Sequence, residues 1–477
     1  MRHPIRCVLF LLALAGAAGC SYPIRNEAIG SGNRSQYKWT DPGPNSLSDT
    51  LVIVTASGGG TRAAALSMAV LKTMDQVRLA SGKSLADEID IVSSVSGGSV
   101  TAGYFAMTGA AGLPALEANF IRKDGMTPLL LRGLNPVGLA VLSTPSTERI
   151  DLLIDYLDQQ LFKDATFQSL IGRRPYLILN AADMVEGVPF PFTQNTMDLL
   201  CSDLVQMKLS TAVAASAAFP VALSPVTLKN YRPCEAKSKP GWLKPATQTS
   251  WYLDPPRVAW ARTASAYASG EKKYVHLLDG GIADNLGVSE PYRLLTGDDV
   301  APLFKDDIAK GRIKKVLFVM VNARSAKPSA LDSQQATPGM ISMLTASIGA
   351  SIDRASFSTA ERLRSLLQTE FRGFANDATA AGFKDMAANF RTVADNTRFI
   401  AVDFDSIKDP ACRESFHSIE TSWSLSATEI DALKAMGEAL LAQNPYFPAA
   451  LQMVNGRPDR PFTTIEAACA LLPNRAG

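Results

Sequence analysis

The sequence predicts an α/β fold built on a mainly parallel central sheet. Apolar, partly β-branched runs at residues 51–54 and 89–92 each end in small residues, and each precedes a stretch with the spacing of an amphipathic helix. A strand, a tight turn and a helix in repetition indicate crossover connections between parallel strands. Further strands are predicted at residues 176–180, 274–278, 315–322 and 399–404.

The composition is that of a globular protein that can bury a large core. The chain has 477 residues, of which 47% are hydrophobic and 19% are charged. There are 47 Lys and Arg residues against 45 Asp and Glu residues, and removal of an N-terminal leader containing Arg2 and Arg6 leaves 45 of each. This balance excludes a protein that binds nucleic acid through a large basic surface.

The N-terminus has the pattern of a secretory signal peptide over residues 1–19. Two arginines precede an apolar run of about 12 residues, whereas a membrane-spanning helix needs roughly 20. The ending Ala17-Ala18-Gly19-Cys20 resembles a bacterial lipobox. That resemblance implies a lipid anchor on Cys20 and a place in the cell envelope, on the outer membrane because Ser21 follows. An ordinary secretory signal that happens to end near a cysteine is the alternative.

The rest of the chain divides into three parts. Residues 20–49 are rich in Ser, Asn, Gly and Pro without an apolar period, which predicts a flexible tether. Residues 50–330 hold all of the predicted strands except the one at residues 399–404, and they form the α/β domain. Residues 331–477 are predicted to be a mainly helical C-terminal extension packed on the core. An apolar stretch at residues 128–142 fits a membrane-facing cap, although core packing is the commoner origin of such a pattern.

Four cysteines remain in the exported part of the chain: Cys201, Cys234, Cys412 and Cys469. An even number in an oxidising compartment predicts disulfides. Three pairings are possible, and sequence proximity favours Cys201 with Cys234 and Cys412 with Cys469. We expect no metal site, because the sequence has no Cys-x-x-Cys motif and no cluster of histidine and cysteine.

A glycine cluster follows the first predicted strand. Gly58, Gly59 and Gly60 allow several backbone N–H groups to face one point, and the helix that starts there adds positive potential. Such a turn binds an anion, either a phosphate or the oxyanion of an acyl-transfer transition state. Gly58, Gly60 and Ala63 also satisfy a dinucleotide-binding pattern. The acidic residue expected about 20 positions later is missing, which argues against this reading.

Two further sites follow predicted strands. Ser96 lies in the sequence Ser-Val-Ser-Gly-Gly-Ser, which resembles a Gly-x-Ser-x-Gly nucleophile elbow with Ser94 in place of the first glycine. Asp279 ends an apolar strand and begins an Asp-Gly-Gly turn. Because strand ends in an open α/β sheet share one crevice, a carboxylate there can accept the serine proton.

In this order, the blocks resemble those of the patatin-like lipid acyl hydrolases, whose fold is related to that of cytosolic phospholipase A2. A fourth block at residues 214–220, Ala-Ala-Ser-Ala-Ala-Phe-Pro, resembles another segment of that family. The resemblance implies a three-layer α/β/α fold and a catalytic domain over residues 50–330. It implies hydrolysis of fatty acyl esters of phospholipids or other lipids, of the phospholipase A or lysophospholipase type, without a cofactor.

The resemblance also implies a role for each matching residue. Ser96 is expected to be the nucleophile and Asp279 the base of a Ser–Asp dyad, and the glycine loop is expected to form the oxyanion hole. Arg62, in the first turn of the following helix, is expected to bind the substrate through a lipid phosphate, or else to fix the loop.

Two alternatives remain open. A Ser-His-Asp triad requires a histidine to approach Ser96, and outside the leader the chain has only His276 and His417. Period-two alternation points His276 away from the face of Asp279. The second alternative is an envelope lipoprotein without catalytic activity that uses the same domain as a binding module.

Overall fold

The computed structural model describes residues 23–30, 37–39, 49–125, 148–220, 222–234, 240–296, 303–326 and 335–472. Within these ranges the chain forms a central mixed sheet with helices on both faces. The predicted signal peptide, Cys20 and the apolar stretch at residues 128–142 lie outside the described residues. Among the described residues, no helix combines the length and the hydrophobicity needed to cross a bilayer.

The central sheet contains eight strands. They are β1 (Thr50–Ala56), β2 (Ile91–Val95), β3 (Tyr176–Asp183), β4 (Pro189–Pro191), β5 (Val226–Lys229), β6 (Tyr274–Asp279), β7 (Lys315–Asn322) and β8 (Thr397–Asp403). Their order across the sheet is β8-β7-β1-β2-β3-β6-β5, and β4 pairs with β3 outside this path. Pairing is parallel from β8 to β3. The predicted mainly parallel sheet is therefore confirmed.

Helices connect the strands and cover both faces of the sheet. They are α1 (Gly60–Asp75), α2 (Gly97–Thr108), α3 (Leu113–Leu116), α4 (Arg149–Leu157), α5 (Gln194–Leu199), α6 (Leu209–Ser216), α7 (Leu243–Gln248), α8 (Pro255–Ser269), α9 (Gly281–Asp284), α10 (Ser289–Thr296), α11 (Leu303–Ala309), α12 (Met340–Ser365), α13 (Phe371–Ala380), α14 (Lys384–Asp395), α15 (Pro410–His417), α16 (Ala427–Ala442), α17 (Phe447–Val454) and α18 (Ile465–Cys469).

The alternation of side chains along β1 explains the three layers. Val52 and Val54 point into a core shared with α1, α2 and α16, whereas Leu51 and Ile53 point into a second core shared with α11, α13 and α14. A strand with apolar residues on both faces must be covered on both sides, which is why its sequence is a continuous hydrophobic run. The α/β/α architecture follows.

The strand that carries Asp279 runs against its neighbour. β6 pairs antiparallel with both β3 and β5. Asp279 therefore lies at the end of an antiparallel strand, whereas the other two motifs follow the parallel strands β1 and β2. Antiparallel pairing still brings Asp279 beside Ala181, near the carboxyl end of β3. The three motifs therefore lie near one edge of the sheet, as expected. Asp279 reaches that edge on an antiparallel strand rather than on a parallel one.

The C-terminal part of the chain belongs to the core. β8 extends the sheet by parallel pairing with β7, and α16 packs along α1. The prediction of a mainly helical extension is confirmed, and the strand predicted within it at residues 399–404 is present as β8, at the edge of the sheet. The sheet therefore includes residues from both sides of the predicted boundary at 330.

The predicted flexible tether is structured where it is described. Residues 27–28 pair antiparallel with residues 202–203. Tyr37 is buried, its ring stacks on Tyr176 with centroids 5.0 Å apart, and its hydroxyl accepts a 2.8 Å hydrogen bond from the Leu177 N–H. Burial of a large aromatic side chain holds this part of the segment against the sheet, which corrects the expectation of a free spacer there.

Both disulfides favoured by sequence proximity are present. Cys201 is bonded to Cys234 and Cys412 to Cys469, at sequence separations of 33 and 57. The second disulfide joins α15 to α18, so it ties the C-terminal helix to the layer that packs on β8.

Removal of the second disulfide tests its contribution to stability. Closing a 57-residue loop restricts the unfolded chain, so we expect Cys412→Ser/Cys469→Ser to lower the free energy of unfolding by about 2–4 kcal/mol. Urea denaturation under non-reducing conditions measures the difference. An unchanged midpoint would show that α15 and α18 remain docked by packing alone.

Candidate active site

The register of three strands brings Ser96 and Asp279 together. Val95 at the end of β2 is paired with Asn180, and the next residue of β3, Ala181, is paired with Asp279. Ser96 follows Val95 directly and therefore lies in the same row as Asp279. The Ser96 hydroxyl donates a hydrogen bond of 2.8 Å to Asp279 Oδ2.

The backbone at Ser96 makes a sharp turn between β2 and α2. Ser96 has a φ of 51°, in the left-handed region that residues other than glycine rarely adopt. A Cβ on Gly97 would lie 2.0 Å from the carbonyl oxygen of Gly60, and one on Gly98 would lie 2.6 Å from that of Ser57. The small residues after the serine are needed because α2 begins in direct backbone contact with the glycine loop.

A chain of serine hydroxyls lies beneath the turn. Ser94, which departs from the glycine of the elbow motif, is buried, and its hydroxyl lies 3.1 Å from that of Ser99. The Ser99 hydroxyl lies 2.9 Å from that of Ser216, which donates to the Asn180 carbonyl at 2.6 Å. Because Ser216 uses its proton on Asn180, it accepts from Ser99, and Ser99 accepts from Ser94. The extra hydroxyl at position 94 is therefore satisfied.

Ser216 connects the two halves of the site. Its hydroxyl accepts a 2.9 Å hydrogen bond from the Ser96 N–H. Two residues later, the Ala218 carbonyl accepts a 3.0 Å hydrogen bond from the Asp279 N–H. The sequence of the 214–220 block does not by itself indicate a physical role. In the structure this block fixes the backbone positions of both Ser96 and Asp279.

The environment of Asp279 adjusts its acidity. The side chain is 5% exposed, and burial raises the pKa of its carboxyl group to about 6, while hydrogen bonds from the Gly281 N–H and the Ser96 hydroxyl act in the opposite direction. The Gly281 N–H lies 2.8 Å from Oδ1. A carboxyl group with this pKa is mainly ionised at neutral pH and is more basic than an exposed aspartate.

Two of the three loop glycines have N–H groups that are not engaged by any described residue. The Gly58 N–H donates to the Asn285 carbonyl at 3.1 Å, so it is already occupied, which corrects its predicted place in the oxyanion hole. Gly59 and Gly60 have φ angles of 140° and 59°, and α1 begins at Gly60. No acceptor for their N–H groups occurs in the described part of the chain.

The glycine loop is held from two sides that the local sequence does not reveal. A Cβ on Gly58 would lie 2.4 Å from Asn285 Oδ1 and 3.2 Å from the Ser96 Cβ. On the other side, the Ser422 carbonyl accepts a 2.8 Å hydrogen bond from Thr61 and would lie 2.5 Å from a Cβ on Gly60. Asn285 lies a few residues after the Asp-Gly-Gly turn in the sequence, whereas Ser422 is distant and no sequence signal marked it.

Arg62 fixes the loop and has no free face for a substrate. It is 2% exposed, and its guanidinium donates to the carbonyl oxygens of Ala323 and Ile419 and to the Thr421 hydroxyl. Burial lowers the pKa of Arg62 to about 10. The predicted substrate-binding role is therefore wrong, and the alternative role of fixing the loop is the one that the contacts support.

The two described histidines are engaged elsewhere. His276 Nδ1 lies 3.0 Å from the Thr227 hydroxyl on β5, and His417 Nε2 lies 3.1 Å from Asp405 Oδ1. Neither hydrogen-bonds to Ser96 or Asp279, so they do not form a triad in this arrangement. Within the described ranges, no group of three or more His, Cys, Asp or Glu side chains is placed to hold a metal ion.

Comparison with known proteins gives one family. Residues 54–292, half of the chain, match the family model described as patatin-like phospholipase, and this span contains Ser96, Asp279 and the glycine loop. Among solved structures, human GIVD cytosolic phospholipase A2 matches with 12% identity and a TM-score of 0.30, over 57% of this chain and 43% of that protein. The chain thus spans less than half of that protein's length. No curated protein matches.

Replacement of Arg62 distinguishes a structural role from a substrate contact. Arg62→Met leaves the Ala323 and Ile419 carbonyl groups without their donor, so we expect the free energy of unfolding to fall by roughly 3 kcal/mol. The exposed Arg364→Met is the matched control and should have a negligible effect. Urea denaturation measures both. Unchanged stability of Arg62→Met, with a raised KM, would instead indicate that Arg62 contacts the substrate.

Proposed function

Because this chain belongs to the patatin-like phospholipase family, we propose that it is a serine hydrolase that cleaves fatty acyl esters of phospholipids or related lipids. In this proposal Ser96 is the nucleophile, Asp279 is the general base, and the N–H groups of Gly59 and Gly60 form the oxyanion hole. The observation that carries the proposal is the 2.8 Å hydrogen bond between Ser96 and Asp279 at a buried strand end.

Acylation begins when Asp279 accepts the Ser96 hydroxyl proton as Ser96 Oγ attacks the ester carbonyl carbon. The carbonyl oxygen becomes an oxyanion, which the Gly59 and Gly60 N–H groups stabilise together with the positive end of α1. When the tetrahedral intermediate collapses, the ester C–O bond breaks and Asp279 returns the proton to the departing alcohol. The product is an acyl group on Ser96 and a free lysolipid or glycerol hydroxyl.

Deacylation repeats these steps with water. Asp279 accepts a proton from a water molecule, whose oxygen attacks the acyl carbonyl, and the same two N–H groups stabilise the second oxyanion. Collapse breaks the bond to Ser96 Oγ, which takes the proton back from Asp279. The fatty acid leaves and the original dyad is restored.

The position in the cell belongs to the same proposal. Cleavage after residue 19 and acylation of Cys20 would attach the protein to an envelope membrane, where its lipid substrates are present. The two disulfides agree with folding in an oxidising compartment. A multiply acylated N-terminus would hold the protein on a membrane without a spanning helix.

Replacement of the dyad tests the chemistry. We expect Ser96→Ala to abolish release of fatty acid from a panel of phospholipids, lysophospholipids and glycerides, and Asp279→Asn to lower kcat/KM by about 100- to 10,000-fold, because the amide cannot accept the serine proton. His276→Ala and His417→Ala are the controls and should retain turnover. If folded wild-type protein cleaves none of these lipids, the domain is a binding module rather than an enzyme.

The pH dependence tests Asp279 as the base. Its folded-state pKa is raised to about 6, so the carboxylate that accepts the proton is lost below that pH. We expect kcat/KM on a soluble ester to rise about tenfold per pH unit below about pH 6 and to reach a plateau above it. If kcat/KM instead rose with a midpoint near pH 7, and this rise disappeared in His417→Ala or His276→Ala, the base would be a histidine.

The raised pKa of Asp279 also affects stability. Activity is expected to rise as Asp279 ionises, whereas stability is expected to fall. Asp279 binds a proton more tightly in the folded protein than in the unfolded chain, so its contribution to stability is full at low pH and is lost as the pH rises through about 6. The inactive Asp279→Asn protein, which cannot ionise there, should therefore have a higher melting temperature than wild type at about pH 8. Calorimetry measures the difference, and a lower melting temperature would contradict it.

A further inference from the structure

The first half of α12 is an exposed helix without charge. Residues 335–352 contain no Asp, Glu, Lys or Arg. Met340, Met343 and Leu344 are 78%, 46% and 48% exposed. A helix on the surface of a protein in water usually presents a charged outer face and buries its apolar one. This segment does neither, so its composition suits an environment other than bulk water.

The second half of α12 holds the helix in place. Leu363 and Leu366, at its end and just beyond it, are buried in the core that also contains Phe371 and Leu295. The exposed first half therefore projects from a fixed base. Its twelve residues from 340 to 351 extend for about 18 Å at 1.5 Å per residue.

The helix lies at the same edge of the sheet as the dyad. Arg324 follows the carboxyl end of β7, and its Nε donates to Asp353 Oδ1 at 3.1 Å while its guanidinium lies 5.0 Å from the centre of the Phe357 ring. In addition, α12 packs against α9, the short helix that begins two residues after Asp279. The part of α12 that directly follows the exposed half, from Asp353 onwards, therefore contacts elements at this edge of the sheet.

A second exposed apolar segment borders the same region. A cleft of about 250 Å³ is lined by Ala283 of α9, by Thr359 and Arg362 of α12, and by Asp254. The residues just before Asp254 are Trp251, Tyr252 and Leu253, which are 63%, 68% and 69% exposed. Arg362 Nη2 lies 3.9 Å from Asp254 Oδ1, which joins the two segments across the cleft.

We propose that residues 340–352 and residues 251–253 form a lipid-docking face that seats the protein on a bilayer beside the mouth of its active site. This inference rests on the proposed function, since a lipid hydrolase must draw its substrate from an aggregated surface. Trp and Tyr favour the membrane–water interface, and the Met and Leu side chains enter the acyl region without any charge to desolvate.

The charges around the second segment fit an anionic membrane. Residues 240–270 hold three basic side chains, Lys244, Arg257 and Arg262, against one acidic residue, Asp254. A basic border around an apolar insertion adds attraction to anionic headgroups, which falls with increasing salt. The partner that this chemistry fits is a phospholipid bilayer with anionic lipid.

A matched pair of variants tests the docking face. Tyr252→Ser/Leu253→Ser removes two exposed side chains from it, and Tyr446→Ser/Leu471→Ser removes the same residue types from exposed positions near α17 and α18, 60% and 42% exposed. The full chain carries Cys20→Ser throughout, so that no acyl anchor contributes. Co-sedimentation with phosphatidylglycerol vesicles measures binding, and hydrolysis of vesicle phospholipid is divided by hydrolysis of a soluble short-chain ester.

We expect Tyr252→Ser/Leu253→Ser to lower both vesicle binding and the vesicle-to-soluble ratio about tenfold, since loss of roughly 1.4 kcal/mol of insertion energy has that effect. Met343→Ser/Leu344→Ser on α12 should act in the same direction. The Tyr446→Ser/Leu471→Ser control should leave both measurements unchanged. An equal loss in the control, or no loss in either docking variant, would overturn the proposal.

Two further outcomes distinguish failure of the docking face from failure of the proposed hydrolase function, and a lipid partner from a second copy of the chain. If wild-type protein hydrolyses neither substrate, the proposed function fails, while a loss of vesicle binding confined to the docking variants still supports the face. If the docking variants alter the mass in sedimentation velocity and leave vesicle binding unchanged, the face binds a second copy of the chain and the lipid proposal is wrong.

Discussion

The close backbone contact between the start of α2 and the glycine loop is the constraint on which the site depends. Gly97 lies so near Gly60 that one added methyl group would collide with a carbonyl oxygen at 2.0 Å, and Gly280 lies equally close to Asn180, at 2.2 Å. Four chain segments thus meet, in two backbone contacts, without intervening side chains. The glycines in the motifs serve this approach as much as the turns themselves, because any larger residue would move Ser96 away from the N–H groups of Gly59 and Gly60.

Around that contact, polar groups hold Ser96 and Asp279 in a buried setting. Ser216 orients the Ser96 backbone, and Arg62 ties the loop helix to a segment more than 350 residues away. Burial of Asp279 makes its carboxyl group a stronger base, and the same burial disfavours the ionised form that the chemistry needs. The site therefore holds an unfavourable charge in place through the packing of its surroundings.

The sequence allowed prediction of the features with local signatures. Short apolar runs and the glycine turns after them located the strands, Ser96 and Asp279, because strand, turn and helix are encoded within about 20 residues. The partners of Arg62 and the Gly58 bond to Asn285 join distant segments and have no local pattern. The same reason explains the missed packing of Tyr37 and the predicted boundary at 330, which separated the strand at residues 399–404 from the sheet that it joins, since an edge strand and a stacked ring are defined by what they contact.

The most direct test of the central claim is a crystal structure of the protein after reaction with a fluorophosphonate. The account predicts phosphorus bonded to Ser96 Oγ, with the phosphoryl oxygen accepting hydrogen bonds from the N–H groups of Gly59 and Gly60 and with Asp279 beside the new bond. Phosphorus on another residue, or a phosphoryl oxygen directed away from the glycine loop, would contradict it.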